Sequence, residues 1–348
     1  MVHTPANPLV SIMLVVKGCA VYLEDTLLSL LGQTLQDFEV VVVSDSLDSA
    51  AQTVMDHCAV ADDRIRVFEQ RQPGLAAARN QAMSHARGKY CAVADADDIS
   101  LPQRLEKQVA FLEAHPDISL CGAWIQIIGA EPAQIRRTPA EDALIRAQMP
   151  FLCPFAHSTV MWRRQDILET GQTYRWDSAE DYDLWVRLAG HIRFANIPDV
   201  LVHYRVHPGQ RSHLIEGSAA NDERLLKIRQ MAVENIGLQP DAGQMHLHNA
   251  LAGGAYQPGR EFVLAAENWL LQLKQANRMR SALPEPQFGY ILAENWWLVC
   301  LKAAWSPWLV WRFLASPLNR NAYPGVREKA RFILRAAKEV LIRMLRKH

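Results

Sequence analysis

Asp95, Ala96, Asp97 and Asp98 close the β-branched and apolar run KYCAVAD (89 to 95), and no basic residue stands between Lys89 and Arg104. In an extended segment alternate side chains share a face, so Asp95 and Asp97 project together with no covalent neighbour to neutralise them. A divalent cation is the natural partner. Hard oxygen ligands favour Mg2+ or Mn2+, completed by water and ligand phosphates. An isolated Asp-x-Asp more often marks a solvated acidic turn; its place at the end of a central strand gives it weight.

The elements that would position this pair follow from periodicity. Short apolar runs at 9–16, 38–44, 65–70 and 89–95 read as strands. Between them, Leu23, Leu27, Leu30 and Leu31 form a helical stripe closed by Gly32, and the Ala-rich stretch Leu75 to Arg87 predicts a helix ending at Gly88. Ser100 and Pro102, with Leu105, Val109 and Leu112 on one face, predict another helix. Thr138, Pro139 and Glu141 have capping-box spacing for one more. Strand and helix alternation with near-continuous Val and Ile runs indicates an α/β fold with a parallel sheet covered on both faces. Ligands of such sheets bind off the carboxyl ends of the strands, where Asp95 and Asp97 stand. After about residue 215 strand-like runs vanish, and six of the ten Trp lie beyond residue 268, so a helical C-terminal appendage is expected.

Composition narrows the partners. With 49% hydrophobic and 21% charged residues in 348, the chain is far from a disordered composition and long enough for a large domain plus an appendage. Lys plus Arg equals Asp plus Glu at 37 each, which gives no electrostatic reason to propose nucleic acid. The six cysteines, at 19, 58, 91, 121, 153 and 300, form no CxxC pair and read as reduced core thiols. The N-terminus MVHTPANP has no basic leader region, and the apolar run Leu9 to Val16 is too short for a signal core or a membrane span. A cytoplasmic location is the expectation.

The stretch PGLAAARNQAMSHARGKYCAVADADDISLPQRLEKQ, residues 73–108, closely resembles the GT-A glycosyltransferases of family 2. That family shows a G-x-x-x-A-R-N helix, an A-R-G-x-Y strand entry and D-A-D-D before a Leu-Pro helix. The resemblance extends through VSIMLVV and DTLLSLLGQTLQDFEVVVVSD upstream and AHSTVMWRR, AEDYDLWVRL and HYRVHPGQRS downstream, covering about 9–212. It implies a GT-A, Rossmann-like, mostly parallel sheet with flanking helices. It also implies a metal-dependent, inverting transfer from a nucleotide sugar, a UDP-sugar, to a glycan or lipid-linked glycan acceptor in surface polysaccharide biosynthesis.

By that resemblance Asp45 matches the acidic residue that contacts the nucleotide base, with Ser44 as the alternative alignment; Val16, Lys17 and Gly18 replace the usual Pro and Asn turn of the first strand. Arg79 matches a residue that positions the nucleotide, Asp95 the ribose-side and metal-side carboxylate, and Asp97 the direct metal ligand. Asp98 reads as a support for these or a helix N-terminal carboxylate. Glu180 and Asp181 match the acceptor-side pair in which the aspartate is the catalytic base, and an inverting transfer needs a carboxylate to take the acceptor hydroxyl proton. The same pair also suits a helix N-terminus. His207 matches a position near the metal and diphosphate; Arg205 and Ser212 are further candidates, and His157 lines the acceptor side or simply packs. Gln172, Arg175 and Trp176 spell the Q-x-x-R-W of processive synthases, but ahead of the acidic pair rather than after it, so the match is accidental.

The expected division is a transferase domain over 1–214 and a helical region over 215–348. From Arg327 to His348 eight Lys or Arg face two Glu, interleaved with apolar residues. That pattern fits a basic amphipathic helix on an anionic membrane surface or a helical bundle whose Trp residues form its core. Two other functions compete with transfer: a nucleotide-sugar-binding protein without catalysis, and a haloacid-dehalogenase-type phosphatase. The phosphatase wants Thr or Val where Ile99 stands and has no place for AARN or the acidic pair.

Overall fold

In the computed structural model the described residues are 7–18, 21–211, 217–303 and 306–320. Cys19, Ser212, Trp305 and the basic segment 327–348 lie outside them. The chain forms two compact units, one within Met1–Ile145 and Cys153–Arg224, the other within Arg146–Leu152 and Leu225–His348.

The first unit is built on a nine-stranded sheet ordered β3-β2-β1-β4-β8-β6-β9-β5, with β7 (Gln134–Arg136) paired to β6. β1 (Val10–Lys17), β2 (Phe38–Asp45), β3 (Ile65–Glu69) and β4 (Tyr90–Asp95) are parallel neighbours within a residue of the expected runs. β1 and β2 are buried over nearly their whole length because helices cover both faces, whereas β3, at the sheet edge, buries only Ile65 and leaves Val67 and Glu69 exposed. Register aligns the strand ends: Lys17 pairs with Asp45, and Val15 with Asp95. Beyond β4 the sheet turns mixed. β8 (Met161–Arg163) runs antiparallel to both β4 and β6 (Leu120–Ile128), and β9 (Phe194–Arg205) is parallel to β6 but antiparallel to β5 (Ile99–Ser100).

Buried polar side chains lock β4 in place. Glu39, fully buried within β2, accepts from Ser11 Oγ at 2.6 Å and from Arg87 Nη2 at 2.7 Å. Burial disfavours its charge, but the bonds from Ser11, Arg66 and Arg87 outweigh that and lower its pKa. Gly88 follows because a Cβ there would stand 2.5 Å from Ser11 N. The strand entry Arg87-Gly88-Lys89-Tyr90 is thus dictated by one buried carboxylate and one close backbone approach.

Two expected helix starts move. Ser100 is not a cap: it sits in β5, its Oγ accepts from Arg104 Nη1 at 2.9 Å, and α4 begins at Arg104 (Arg104–Ala114). Thr138 is not a cap either. Its hydroxyl has no partner, and the next helix starts only at Asp142 (α5, Asp142–Gln148). The other helices of this unit are α1 (Leu23–Leu31), α2 (Ser49–Ala61), α3 (Leu75–His85), α6 (Arg164–Thr170) and α7 (Glu180–Leu188). α3 stops at His85 because Ala86 turns extended.

The second unit is helical: α8 (Ala219–Ile236, which starts in the first unit), α9 (Ala242–Ala252), α10 (Arg260–Arg280), α11 (Gln287–Lys302) and α12 (Pro307–Ala315). Asp241 and Gln244 form a capping box on α9, and Ser306 with Pro307 starts α12. Trp269 and Trp296 are core residues. Trp269 donates its indole N–H to His248 Nδ1 at 3.1 Å, and His248 Nε2 donates to the Pro150 carbonyl at 2.7 Å, so burial holds this imidazole neutral with a pKa near 4. Among the described residues no helix is long and apolar enough to cross a membrane. The five described cysteines are free thiols.

Candidate functional site

The carboxyl ends of β1 and β4 open into a cleft of about 930 Å3, bounded on one side by Asp95, Ala96 and Asp97 and on the other by Ala179, Glu180 and Asp181. Strand ends of β1, β4 and β9, the N-termini of α1, α3 and α7 and the loop 207–211 supply its walls. Lys17, Arg79, His157 and His207 also line it.

Asp95 and Asp97 both reach the cleft but keep different company. Asp95 Oδ1 lies 3.4 Å from Arg79 Nη2 and 3.8 Å from His157 Nδ1. Burial opposes its ionisation, yet His157 and the Arg79 guanidinium outweigh burial and hold its pKa at about 2. Asp97 Oδ2 has His207 Nε2 at 3.1 Å; burial first, and the charge of Asp95 second, push its pKa up. Asp98 is buried, accepts Arg205 N at 2.9 Å on Oδ1, and leaves Oδ2 without a partner. Burial and then Asp95 raise its pKa to about 8, and its bond to Arg205 N makes it a clamp on the end of β9 rather than a cap on α4.

Arg79 joins the two sides of the cleft. Its Nη1 sits 3.1 Å from Glu180 Oε1 and 2.6 Å from the His157 ring nitrogens, and its guanidinium lies 5.6 Å from the Tyr174 ring centre. Burial works against its charge, but Glu180 and Asp95 fix it as a cation. Glu180 is therefore neutralised in place. Asp181 has no ion pair among the described residues, although the Arg79 charge reaches it: its Oδ1 accepts Tyr182 N at 2.8 Å, and its Oδ2 has Cys153 Sγ at 3.8 Å. Ala179, with φ of 50°, makes the left-handed turn that starts α7, a conformation costly for a residue with a Cβ.

Two candidates stand apart from the cleft lining. Asp45 pairs with Lys17 Nζ at 2.9 Å and with Ser46 Oγ at 2.8 Å, which lower its pKa, and Lys17 rather than Asp45 lines the cleft. Arg205 donates from Nε to the Asp97 carbonyl at 2.9 Å and reaches Asp25 at 3.2 Å across the face of Tyr22, so its guanidinium braces the acidic loop from behind.

The sequence profile of the family described as Glycosyl transferase family 2 matches residues 11–171. Among curated relatives, the O-antigen biosynthesis glycosyltransferase WbnJ of Escherichia coli is 30% identical over 57% of this chain and 80% of its own length. The amylovoran biosynthesis glycosyltransferase AmsE of Erwinia amylovora is 33% identical over 53% and 70%. The chain belongs to glycosyl transferase family 2. It is a glycosyltransferase. The fold agrees: residues 1–349 of TarS from S. aureus, solved in complex with UDP-GlcNAc, superpose with a TM-score of 0.55 at 18% identity, covering 84% of this chain and 90% of that one.

Several residues of this glycosyltransferase had no assigned role in the sequence reading. Asn80, the last letter of AARN, bonds the backbone of Tyr174, and Asp177 caps α3 across 101 residues. Gln210 lines the cleft, buried, with Oε1 unpartnered. Only Asn80 carried a signal, as part of a motif; the rest are set by loop geometry.

Proposed function

We propose that this glycosyltransferase transfers a sugar with inversion from a nucleotide sugar, a UDP-sugar, to a glycan or lipid-linked glycan acceptor in surface polysaccharide biosynthesis. The observation that carries the reading is the cleft itself: paired strand-end carboxylates on one wall and, on the other, Asp181, which has no ion pair among the described residues. The O-antigen and amylovoran names of WbnJ and AmsE support the polysaccharide role, and the ligand of TarS supports UDP. The catalytic domain would be 1–214 and the helical region 215–348.

The residues suit Mn2+ or Mg2+. Asp97 is a desolvated carboxylate repelled by Asp95, and a cation relieves that repulsion. Among the described residues no three acidic, His or Cys side chains gather as a metal cage, so water and phosphate oxygens would complete the shell. When bound, such a cation neutralises the diphosphate leaving group. Asp97 and Asp95 would hold it, with His207 steadying Asp97; Arg79 would hold the nucleotide, and Asp45 would reach it only on release of Lys17, which lines the cleft beside it. Asp181 would take the acceptor proton as the new bond forms, and Glu180, fixed by Arg79, would orient the acceptor. Arg205 would act on this site through the Asp97 carbonyl and Asp98 Oδ1.

A panel of nucleotide sugars scored for manganese-dependent thermal stabilisation tests the reading, because a ligand that binds only the folded state raises its stability. A UDP-sugar is expected to give the largest shift, and donor hydrolysis separates an enzyme from a binding protein. No shift with any donor would reject it.

We further propose that the protein works in the cytoplasm with peripheral contact to anionic membrane. α12 supports this from the described residues: Leu309 and Phe313 face inward while Trp311 is 62% and Leu314 53% exposed. The basic residues of 327–348 would add about 1 kcal/mol each near such a surface. Sedimentation with anionic vesicles at low salt, lost on deleting 327–348, is the expected result; a chain that stays in the supernatant at low salt refutes the contact.

A further inference from the structure

The segment leading into α7 has no helix or strand of its own from Gln172 to Ala179, so its backbone groups must find other partners. The Thr173 carbonyl accepts from Arg187 Nη2 at 2.7 Å and the Asp177 carbonyl from Arg211 Nη2, while Tyr174 finds both of its partners on α3. Asn80 Nδ2 donates to the Tyr174 carbonyl at 2.8 Å, and Tyr174 N donates back to Asn80 Oδ1 at 2.9 Å, a two-point clasp that only a side-chain amide of this length can make. One turn earlier on the helix, Ala76 N donates to Asp177 Oδ1 at 3.0 Å. The fit there is tight. Gly74 has φ of 106°, and a Cβ on it would lie 2.8 Å from both Asp177 carboxylate oxygens. The third point is the Arg79 to Glu180 pair at 3.1 Å. Three successive points on one helix therefore set the path of the chain into Glu180 and Asp181.

We propose that Asn80 and Asp177 are positioning residues for the acceptor-side carboxylates. Asp177 closes the N-terminus of α3 with its carboxylate, Asn80 fixes the backbone at Tyr174, and the six residues between Tyr174 and Asp181 are held at both ends. The helix that presents Arg79 to the donor side thereby sets where Asp181 stands. This inference rests on the reading of Asp181 as the base. A displacement of about 1 Å at a reacting group can cost about 100-fold in rate, so the clasp acts on turnover rather than on nucleotide affinity.

Four variants test it: Asn80→Ala, Asp177→Ala, Asp177→Asn and the double variant Asn80→Ala with Asp181→Asn. Each is assayed for UDP affinity and for transfer at saturating donor and acceptor. Asn80→Ala is expected to lower kcat about 10- to 100-fold with UDP affinity within about twofold of wild type, and Asp177→Ala to do the same more mildly. Asp177→Asn is expected to restore most of the turnover, because Asn caps a helix nearly as well as Asp. The double variant is expected to be no slower than Asp181→Asn alone, as for residues that act as one unit. Should Asn80→Ala misfold, the Asp177 variants still decide, since a loss of turnover at unchanged UDP affinity does not follow from lost stability. Full turnover in both alanine variants, or UDP affinity lost in step with turnover, would overturn the inference while leaving a dead Asp181→Asn to stand. A fully active Asp181→Asn would overturn the base reading and this inference with it.

Discussion

Asp181→Asn is expected to keep the UDP dissociation constant near wild type while transfer falls by about 100- to 10,000-fold, the usual contribution of a positioned general base. The amide fits the space of the carboxylate and still accepts the Tyr182 N–H that Oδ1 takes at 2.8 Å, so α7 keeps its start. What it loses is basicity. Glu180 cannot take over, because its carboxylate is buried and neutralised by Arg79 at 3.1 Å. Glu180→Gln is accordingly expected to be milder in turnover, and its effect should include nucleotide affinity, since it frees an Arg79 that also touches Asp95. The measurement is paired: UDP titration, then transfer at saturating donor and acceptor. A dead variant that has also lost UDP would make Asp181 structural or metal-linked, and a fully active one would place the base elsewhere.

How much of this arrangement was legible beforehand depends on the kind of constraint. β1, β2 and β4 read directly as continuous apolar runs because both of their faces are buried, whereas the edge position of β3 was not legible in its run. The placement of Asp95 and Asp97 at a strand end followed from those runs alone. The antiparallel half did not follow. β8 has three residues, and β9 carries Pro198 and register irregularities where it meets Ala123 and Trp124 of β6, so neither shows a clean period. Ser100 and Thr138 misled for one reason: a hydroxyl before an apolar stripe signals a cap only if the backbone turns there, and both are held in extended chain by partners distant in sequence. Within the site, residue types were legible and their pairings were not. The sequence does not say that Lys17 closes on Asp45, that Arg205 turns behind the acidic loop, or that Asp177 caps a helix 101 residues away.

Asp97→Asn is expected to abolish the metal-dependent part of UDP binding and leave the protein folded. Asp97 is desolvated and stands beside Asp95, so in the absence of metal it is one negative charge too many. Removing that charge ends the repulsion, and the amide can still meet His207 Nε2 at the 3.1 Å contact with the imidazole in either tautomer. The metal-free variant is therefore expected to melt no lower than the metal-free wild type. Asp95→Asn differs, because Arg79 would then lose one of the carboxylates that balance its buried charge, and lower stability is the expected cost. Calorimetry with Mn2+ and with a chelator separates the outcomes. In the wild type the chelator is expected to weaken UDP binding by at least tenfold, and in Asp97→Asn it is expected to change nothing, with both variants' residual affinity coming from base and ribose contacts. Manganese-dependent affinity that survives Asp97→Asn would remove Asp97 from the metal site, and an unchanged wild-type affinity under chelation would remove the metal from donor binding altogether.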